Sequence, residues 1–415
     1  MTFPPYDRIV CSIALVTALS FCSEQPTDGP EARTEQPTQT DTTTAPADTL
    51  EALLHEHIAI LASDEFEGRA PATHGEELTV NYLREQFMKL GVAPGNGDSY
   101  FQPVEVTEIT AAGAPELTIH GSDYAASFSY GDQQVVGSQQ QVPFVTVQGS
   151  DLVFVGYGIV APERNWNDYA NTDVTDKTVI ILVNDPGYAT QDPAVFDGNA
   201  MTYYGRWTYK YEEAARQGAA AAIIVHETGP AGYGWEVVNN SWTGPQIGLS
   251  ASNLNGDRVE IEGWITQETA EAVFDGAGLS YTQLKQAAAQ PGFTAIPMAD
   301  LTLNVSIENS VRTSLSQNVL AAIPGTTRPE ETIIYTAHWD HLGIDPTLEG
   351  DQIYNGASDN ATGTAGLLAL AQLHTQVPAP ERTVVFLAVT AEESGLLGSQ
   401  WYAEHPVYPI ASTVA

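Results

Sequence analysis

Apolar and polar residues follow a different pattern in the last quarter of the chain than in the rest. After about residue 309, short fully apolar runs alternate with stretches of helical periodicity. Strands that alternate with helices at this spacing form sheets that helices cover on both faces. The pattern predicts an α/β fold with a mostly parallel or mixed central sheet flanked by helices. The predicted strands cover residues 318–323, 332–336 and 383–389, and the predicted helices cover residues 362–374 and 395–404.

Two helical patterns and a strand-rich segment precede this part. Apolar residues recur at helical spacing over residues 50–61 and again over 75–90, where Gly91 ends the second pattern. Between about residues 115 and 308, short β-like runs alternate with turns rich in Gly, Asn and Asp. One helix–strand unit is clear there, with a helix over 211–217 and a strand over 221–226. We therefore expect a strand-rich domain, residues 115–308, inserted between residues 50–114 and residues 309–415.

The first 49 residues have the composition of an export signal followed by a tether. Arg8 precedes an apolar run, residues 9–21, that is too short to span a bilayer comfortably. The run ends at Cys22 in a string that resembles a bacterial lipobox, although Phe21 stands where a small residue is usual. Residues 23–49 have little to bury and predict a disordered tether. We expect residues 1–22 to be an export or lipoprotein-type signal, so that the protein is exported. Periplasmic or cell-envelope attachment through a lipid on Cys22 and secretion both remain open.

The charge balance excludes one large class of partner. The 415 residues contain 52 acidic and 15 basic side chains, which gives a net charge of −37. Binding to a nucleic-acid backbone requires clustered cations, so we expect no nucleic-acid partner. Both cysteines, Cys11 and Cys22, lie in the signal. The chain can therefore have neither a disulfide framework nor a cysteine zinc site.

Polar side chains follow the ends of the predicted strands. His338 and Asp340 come just after one strand, Asp359 precedes a helix, and Glu392 and Glu393 follow the next strand. In α/β sheets, ligands bind beyond the carboxyl ends of the strands. Carboxylates gathered there repel one another unless a bound cation offsets the repulsion. One imidazole among several carboxylates is typical of zinc or a similar ion rather than calcium.

The spacing of these residues suggests what each could do. Alternate residues of an extended segment point to the same side, so Asp340 could accept a hydrogen bond from His338 and fix its tautomer. Asp359 has two carboxylate oxygens and could bridge two metal ions. Of the adjacent Glu392 and Glu393, one could bind metal while the other accepts a proton from a water that the metal acidifies.

Three strings that contain these residues resemble peptidase family M28, the zinc peptidases of the co-catalytic aminopeptidase group. They are residues 338–340, 355–360 and 392–395. Residues 67–71, 75–77 and 97–103 are similar to the N-terminal part of that family, and the middle segment is similar to the protease-associated (PA) domain. The resemblance covers nearly everything after residue 50 and implies a zinc-exopeptidase-like fold with an inserted PA-like domain.

The resemblance also implies a role for each residue at the strand ends. His338 would bind one of two zinc ions, Glu393 would bind the second, and Asp359 would bridge both. Glu392 would be the general base, and Asp340 would orient His338. The resemblance further implies a peptide bond before Asn360 that is often cis.

The family pattern needs two more zinc ligands after the glutamate pair, an acidic residue and a late histidine. The sequence ends at Ala415, and His405, the one histidine after Glu393, falls within a predicted helix. We therefore expect a C-terminally truncated chain that lacks one ligand of each zinc. An inactive fragment is one open outcome.

The expected function is that of a metal-dependent exopeptidase. An aminopeptidase that removes N-terminal residues from peptides, by means of a water activated by two zinc ions, fits the resemblance best. The alternatives are a carboxypeptidase or a glutaminyl-cyclase-like acyl transferase of the same fold, or a non-catalytic, envelope-tethered module that binds peptides. Residues 67–69 are interpreted as a structural loop, and His341 is interpreted as a structural histidine.

Overall fold

The apolar runs of the sequence pair into one large mixed sheet. The computed structural model describes residues 47–415. Within that range, thirteen strands are joined in the large sheet and four short strands form two separate pairs. The strands are β1 Ala93–Pro94, β2 Phe101–Ala111, β3 Leu117–His120, β4 Ala125–Phe128, β5 Gln134–Gly137, β6 Phe144–Phe154, β7 Val160–Ala161, β8 Trp166–Asn167, β9 Thr178–Leu182, β10 Ala221–His226, β11 Gln246–Leu249, β12 Ile261–Thr266, β13 Ile296–Ile323, β14 Arg328–His338, β15 Gly343–Ile344, β16 Ile353–Tyr354 and β17 Arg382–Val389.

The predicted helices are confirmed, with shifts of one to a few residues at their ends. Helix α1 begins at Ala47, inside the segment that the composition assigned to the tether. Within residues 47–415, no helix is both long enough and apolar enough to cross a membrane. The helices are α1 Ala47–Leu61, α2 His74–Lys89, α3 Pro186–Thr190, α4 Trp207–Arg216, α5 Thr228–Ala231, α6 Trp235–Trp242, α7 Gln267–Gly276, α8 Tyr281–Ala288, α9 Thr362–Thr375 and α10 Leu397–Glu404. The predicted signal, Cys22 and the tether up to residue 46 lie outside the described residues.

The 28-residue strand β13 is the longest element of the described part of the chain. Its first part pairs antiparallel with β3 and β6, its middle with β2, and its last residues with β17 and β1. The strand passes without a break through residues 308 and 309, where the sequence pattern placed a domain boundary. Residues 47–415 cluster as one unit by their contacts. The division into three segments and the PA-like character of residues 115–308 stay predictions.

The sheet contains both parallel and antiparallel strand pairs, in agreement with the predicted mostly parallel or mixed sheet. In the middle segment β6, β9, β10 and β12 run parallel, and β5 closes this side antiparallel to β12. In the C-terminal part β14 runs parallel to β17, while β13 is antiparallel to β17. Because β14 and β17 are parallel neighbours, the loops that follow them leave the sheet at the same edge. This pairing determines where the candidate site lies.

The C-terminal half of the sheet has an aromatic core that can be tested by mutation. Phe386 on β17 is fully buried, and its ring centroid lies 6.0 Å from those of Phe87 and Tyr335. We expect Phe386→Ala to lower the free energy of unfolding by about 3–5 kcal/mol, because the cavity cannot close fully. Phe144→Ala is the matched control: Phe144 is 58% exposed, so its replacement should change stability by less than about 0.5 kcal/mol. Urea unfolding of both variants measures the difference, and equal losses would contradict the assignment of this core.

Candidate metal centre

The pairing of β14 with β17 brings the predicted site residues to one edge of the sheet. His338 is the last residue of β14 and lies opposite Val389, the last residue of β17. Glu392 and Glu393 follow in the loop between β17 and α10. Asp359 lies in an irregular turn, residues 357–361, that leads into α9. All these loops open beyond the carboxyl ends of two parallel strands, as the sequence predicted.

Three of the predicted residues converge closely. One ligand atom each from His338, Asp359 and Glu393 lies within 4.8 Å of the other two. The Nε2 atom of His338 is 3.0 Å from Oδ1 of Asp359. The peptide bond between Asp359 and Asn360 is cis, as the family resemblance implied. The structure therefore groups the three residues predicted as metal ligands.

The hydrogen bonds of His338 indicate what this group can hold. Its Nδ1–H donates to the main-chain carbonyl of Asp340 at 3.2 Å. In the neutral imidazole, Nε2 then carries a lone pair. That lone pair faces the Asp359 carboxylate and, at 3.7 Å, Oε2 of Glu392. A lone pair and carboxylates that face one another repel unless a cation or a proton lies between them. An imidazole nitrogen with carboxylate oxygens is a donor set that fits zinc.

Asp340 contacts the glutamate pair rather than making the predicted hydrogen bond. Its fully buried carboxylate accepts hydrogen bonds from the backbone N–H groups of Glu392 and Glu393, at 3.1 and 3.3 Å. The His338 imidazole bonds the Asp340 carbonyl instead, and Oδ1 of Asp340 stays 3.7 Å from Nδ1. Burial raises the pKa of Asp340 to about 6, against the lowering effect of these N–H donors and of His338. Asp340 therefore fixes the loop of the glutamate pair.

Glu392 lies beside the group of three. Its carboxylate reaches 3.7 Å from Nε2 of His338, and about a third of the side chain is exposed. The backbone hydrogen bond to Asp340 fixes the residue while the carboxylate stays accessible. This placement suits a group that exchanges protons with molecules entering from solvent.

His341 also lies at the centre, whereas the sequence predicted a structural histidine. Its Nδ1–H donates to Oε1 of Glu393 at 2.6 Å. This hydrogen bond lowers the pKa of Glu393, and burial opposes the effect. The position of His341 in the same loop as His338 is the one sequence signal that could have indicated it. A bond of this kind orients a carboxylate that binds metal.

Arg69 is the second residue at the centre whose role the sequence did not predict. Its side chain is almost fully buried, and the guanidinium donates to the main-chain carbonyl of Trp339, between His338 and Asp340. Burial lowers the pKa of Arg69 to about 10, and the carboxylates of Asp340, Asp359 and Glu393 oppose this shift. Arg69 therefore stays positively charged at neutral pH. A single basic residue in a turn carries no local signal for this position.

Two solved structures superimpose on most of this chain. The aminopeptidase from Aneurinibacillus sp. strain AM-1 superimposes with a TM-score of 0.48 and 22% identity over 85% of this chain and 66% of that one. The peptidase M28 precursor from Shewanella amazonensis SB2B has a TM-score of 0.43 and 20% identity, over 86% and 70% of the two chains.

Sequence relatives match between a fifth and a quarter of the chain. Aminopeptidase YwaD of Bacillus subtilis is 34% identical over 91 residues, which are 22% of this chain and 18% of that protein. Aminopeptidase NAALADL1 of Mus musculus is 32% identical over 107 residues, which are 25% of this chain and 13% of that protein. The chain thus spans less than a fifth of the length of either relative. The sequence model of peptidase family M28 matches residues 318–415. The matched segment contains His338, Asp359 and Glu393.

Proposed function

We propose that this chain carries the metal centre of a zinc-dependent aminopeptidase. The convergence of the His338 imidazole with the carboxylates of Asp359 and Glu393 supports the proposal most directly. These three residues would hold the metal. Asp359 would be shared between two zinc ions, since both its oxygens can bind metal and its side chain is 66% exposed. Zinc bound there would polarise the peptide carbonyl and lower the pKa of water.

The residues around the metal would handle the proton of the reaction. Glu392 would take a proton from the attacking water and deliver it to the departing amine, since its carboxylate is accessible and close to His338 Nε2. Asp340 would keep the loop of Glu392 and Glu393 in place through its two backbone hydrogen bonds. His341 would orient Glu393.

The charge of the site favours substrates with a free amino terminus. With metal bound, Asp359 would be a ligand, and Glu392 would remain as a carboxylate that faces solvent beside the metal position. A peptide amino terminus is positively charged and can pair with this carboxylate, whereas a peptide carboxyl terminus cannot. This difference favours an aminopeptidase over the carboxypeptidase alternative.

Metal removal tests the proposal. We expect release of a chromogenic amine from aminoacyl anilides to disappear on treatment with a chelator and to return when zinc is added. The assay is run on the 415-residue chain and on the same chain with any residues that follow in its reading frame, and elemental analysis after dialysis counts the zinc. N-acetylated anilides are the matched control substrate and should be cleaved poorly.

Activity that is indifferent to chelation would refute the zinc mechanism. Cleavage of N-blocked peptides that have a free carboxyl terminus, without cleavage of the anilides, would favour the carboxypeptidase. N-terminal cyclisation with one zinc per chain would favour the acyl transferase.

A further inference from the structure

The side chain of Arg69 is buried beside the metal centre and bonds the backbone of Trp339 and Gly356. Arg69 ends a short 3-10 turn, Asp64–Arg69, just before α2, and adopts a φ of +54°. It is only 1% exposed and is among the largest fully buried side chains of residues 47–415. A buried guanidinium must have its N–H groups satisfied, because each unpaired donor in a dry site is costly. The partners of these groups therefore show what the residue does.

Main-chain carbonyls from three segments accept the hydrogen bonds of the guanidinium. Nε–H donates to the carbonyl of Trp339 at 2.9 Å. Nη1 donates to the carbonyls of Leu61 and, at 2.7 Å, Asn355. Nη2 donates to the carbonyl of Gly356 at 2.8 Å. Among the ion pairs of the described residues, none includes Arg69. The guanidinium therefore binds backbone and leaves the nearby carboxylates available.

The segments that Arg69 joins are those that carry the metal-facing residues. Trp339 separates His338 from Asp340, and Gly356 opens the turn that leads to Asp359. The carbonyl of Arg69 itself accepts a hydrogen bond from the backbone N–H of His341 at 3.3 Å. One residue thus fixes the loop after β14 and the turn before α9 relative to each other. These are the two segments whose separation sets the 3.0 Å between His338 Nε2 and Asp359 Oδ1.

The surrounding backbone leaves this arrangement little freedom. A Cβ on Gly68 would collide with the carbonyl oxygens of Gly343 and Tyr354, and a Cβ on Gly356 would lie 2.6 Å from Nη2 of Arg69. Lysine could not replace the guanidinium here. Its ammonium is a single point with three donors, whereas the planar fork of arginine reaches carbonyls in several directions. The geometry therefore requires arginine rather than only a positive charge.

We propose that Arg69 is a positioning residue of the metal centre, which holds the loop of His338 and the turn of Asp359 at the separation that a bound metal requires. The proposal rests on the metal centre proposed above. It differs from a general stabilising role because it predicts a loss of metal affinity that a change in overall stability does not explain.

The test compares metal affinity in two arginine-to-lysine variants of the full chain. We expect Arg69→Lys to raise the Kd for zinc by roughly 10- to 100-fold, the range seen when residues that support metal ligands are changed. Arg258→Lys is the matched control. Arg258 pairs with the buried Glu262 in the middle segment, so its replacement should leave the Kd within about 2-fold. Competition with a chromophoric chelator gives the Kd, and the visible absorption of bound Co²⁺ reports the coordination geometry. Urea unfolding of the metal-free variants measures their stability separately.

A wild-type Kd in Arg69→Lys would overturn the positioning role and leave the proposed function intact. A wild-type chain that binds no zinc would refute both proposals.

If Arg69→Lys does not fold, hydrogen exchange of the unaltered chain, with and without zinc, tests the positioning role instead. We expect residues 61–69 to gain protection on zinc binding together with residues 338–341 and 355–361. No change in residues 61–69, with protection gained in the other two segments, would contradict the proposal.

Discussion

His338→Ala should remove stoichiometric zinc from this chain. The variant loses the one imidazole of the group of three and leaves Asp359 and Glu393 as neighbouring carboxylates with no nitrogen ligand. Changing residues that merely support a metal ligand costs 10- to 100-fold in affinity. Loss of a ligand should therefore cost more than about 100-fold. Elemental analysis after dialysis, and zinc titration against a chromophoric chelator, measure the effect.

His55→Ala provides the control for this variant. The side chain of His55 is 76% exposed on α1, so its removal should leave both zinc content and stability unchanged. Retention of full zinc content by His338→Ala would mean that the metal lies elsewhere. The assignment of the centre to this edge of the sheet would then be wrong.

Glu392→Gln should abolish most of the activity while zinc stays bound. The substitution keeps the size of the side chain but removes its capacity to accept a proton at neutral pH. General acid–base catalysis contributes about 10²- to 10⁴-fold to such reactions, so kcat should fall by about that factor. The measurement is made on whichever form of the chain is active in the anilide assay, and zinc content is determined on the same preparation. Because the backbone N–H of Glu392, rather than its carboxylate, bonds Asp340, the loop should keep its structure.

The matched control is Glu404→Gln, at the exposed end of α10, which should keep its activity. Two results would count against the role of Glu392. An unchanged kcat would exclude it as the general base. Loss of zinc together with activity would show that its carboxylate, 3.7 Å from His338 Nε2, is a ligand instead.

The residues of the metal centre could be predicted because they follow strands with a strong sequence signal. The strand 383–389 consists almost wholly of apolar residues and is buried in the structure as β17 Arg382–Val389. A parallel neighbour places the residues after both strands at one edge of the sheet. His338, Asp359 and Glu393 could therefore be grouped without knowledge of any contact.

The features of the fold and of the site that the sequence did not predict depend on contacts between residues far apart in the chain. The sequence indicated a strand over residues 318–323, whereas β13 begins at Ile296. Around Val311 and Leu315, which are 36% and 64% exposed, polar side chains hide the strand periodicity. The bond from Arg69 to Trp339 joins residues 270 positions apart, and no local pattern encodes such a pair. The predicted hydrogen bond from His338 to the Asp340 carboxylate is wrong because of contacts that are also distant in sequence. The carboxylate bonds the backbone N–H groups of Glu392 and Glu393 instead.

Strand β13 has a consequence for the synthesis of this protein on the ribosome. Glu108 on β2 pairs with Arg312 on β13, and 204 positions separate them in the chain. At about 5–20 residues per second, the ribosome needs roughly 10–40 s to make the intervening segment. During that time β2 has emerged without its long partner, and its unpaired backbone groups can pair with other chains. During this interval β2 of the nascent chain lacks the hydrogen-bond partner that β13 later supplies. We therefore expect chaperones that bind unfinished chains to associate with it.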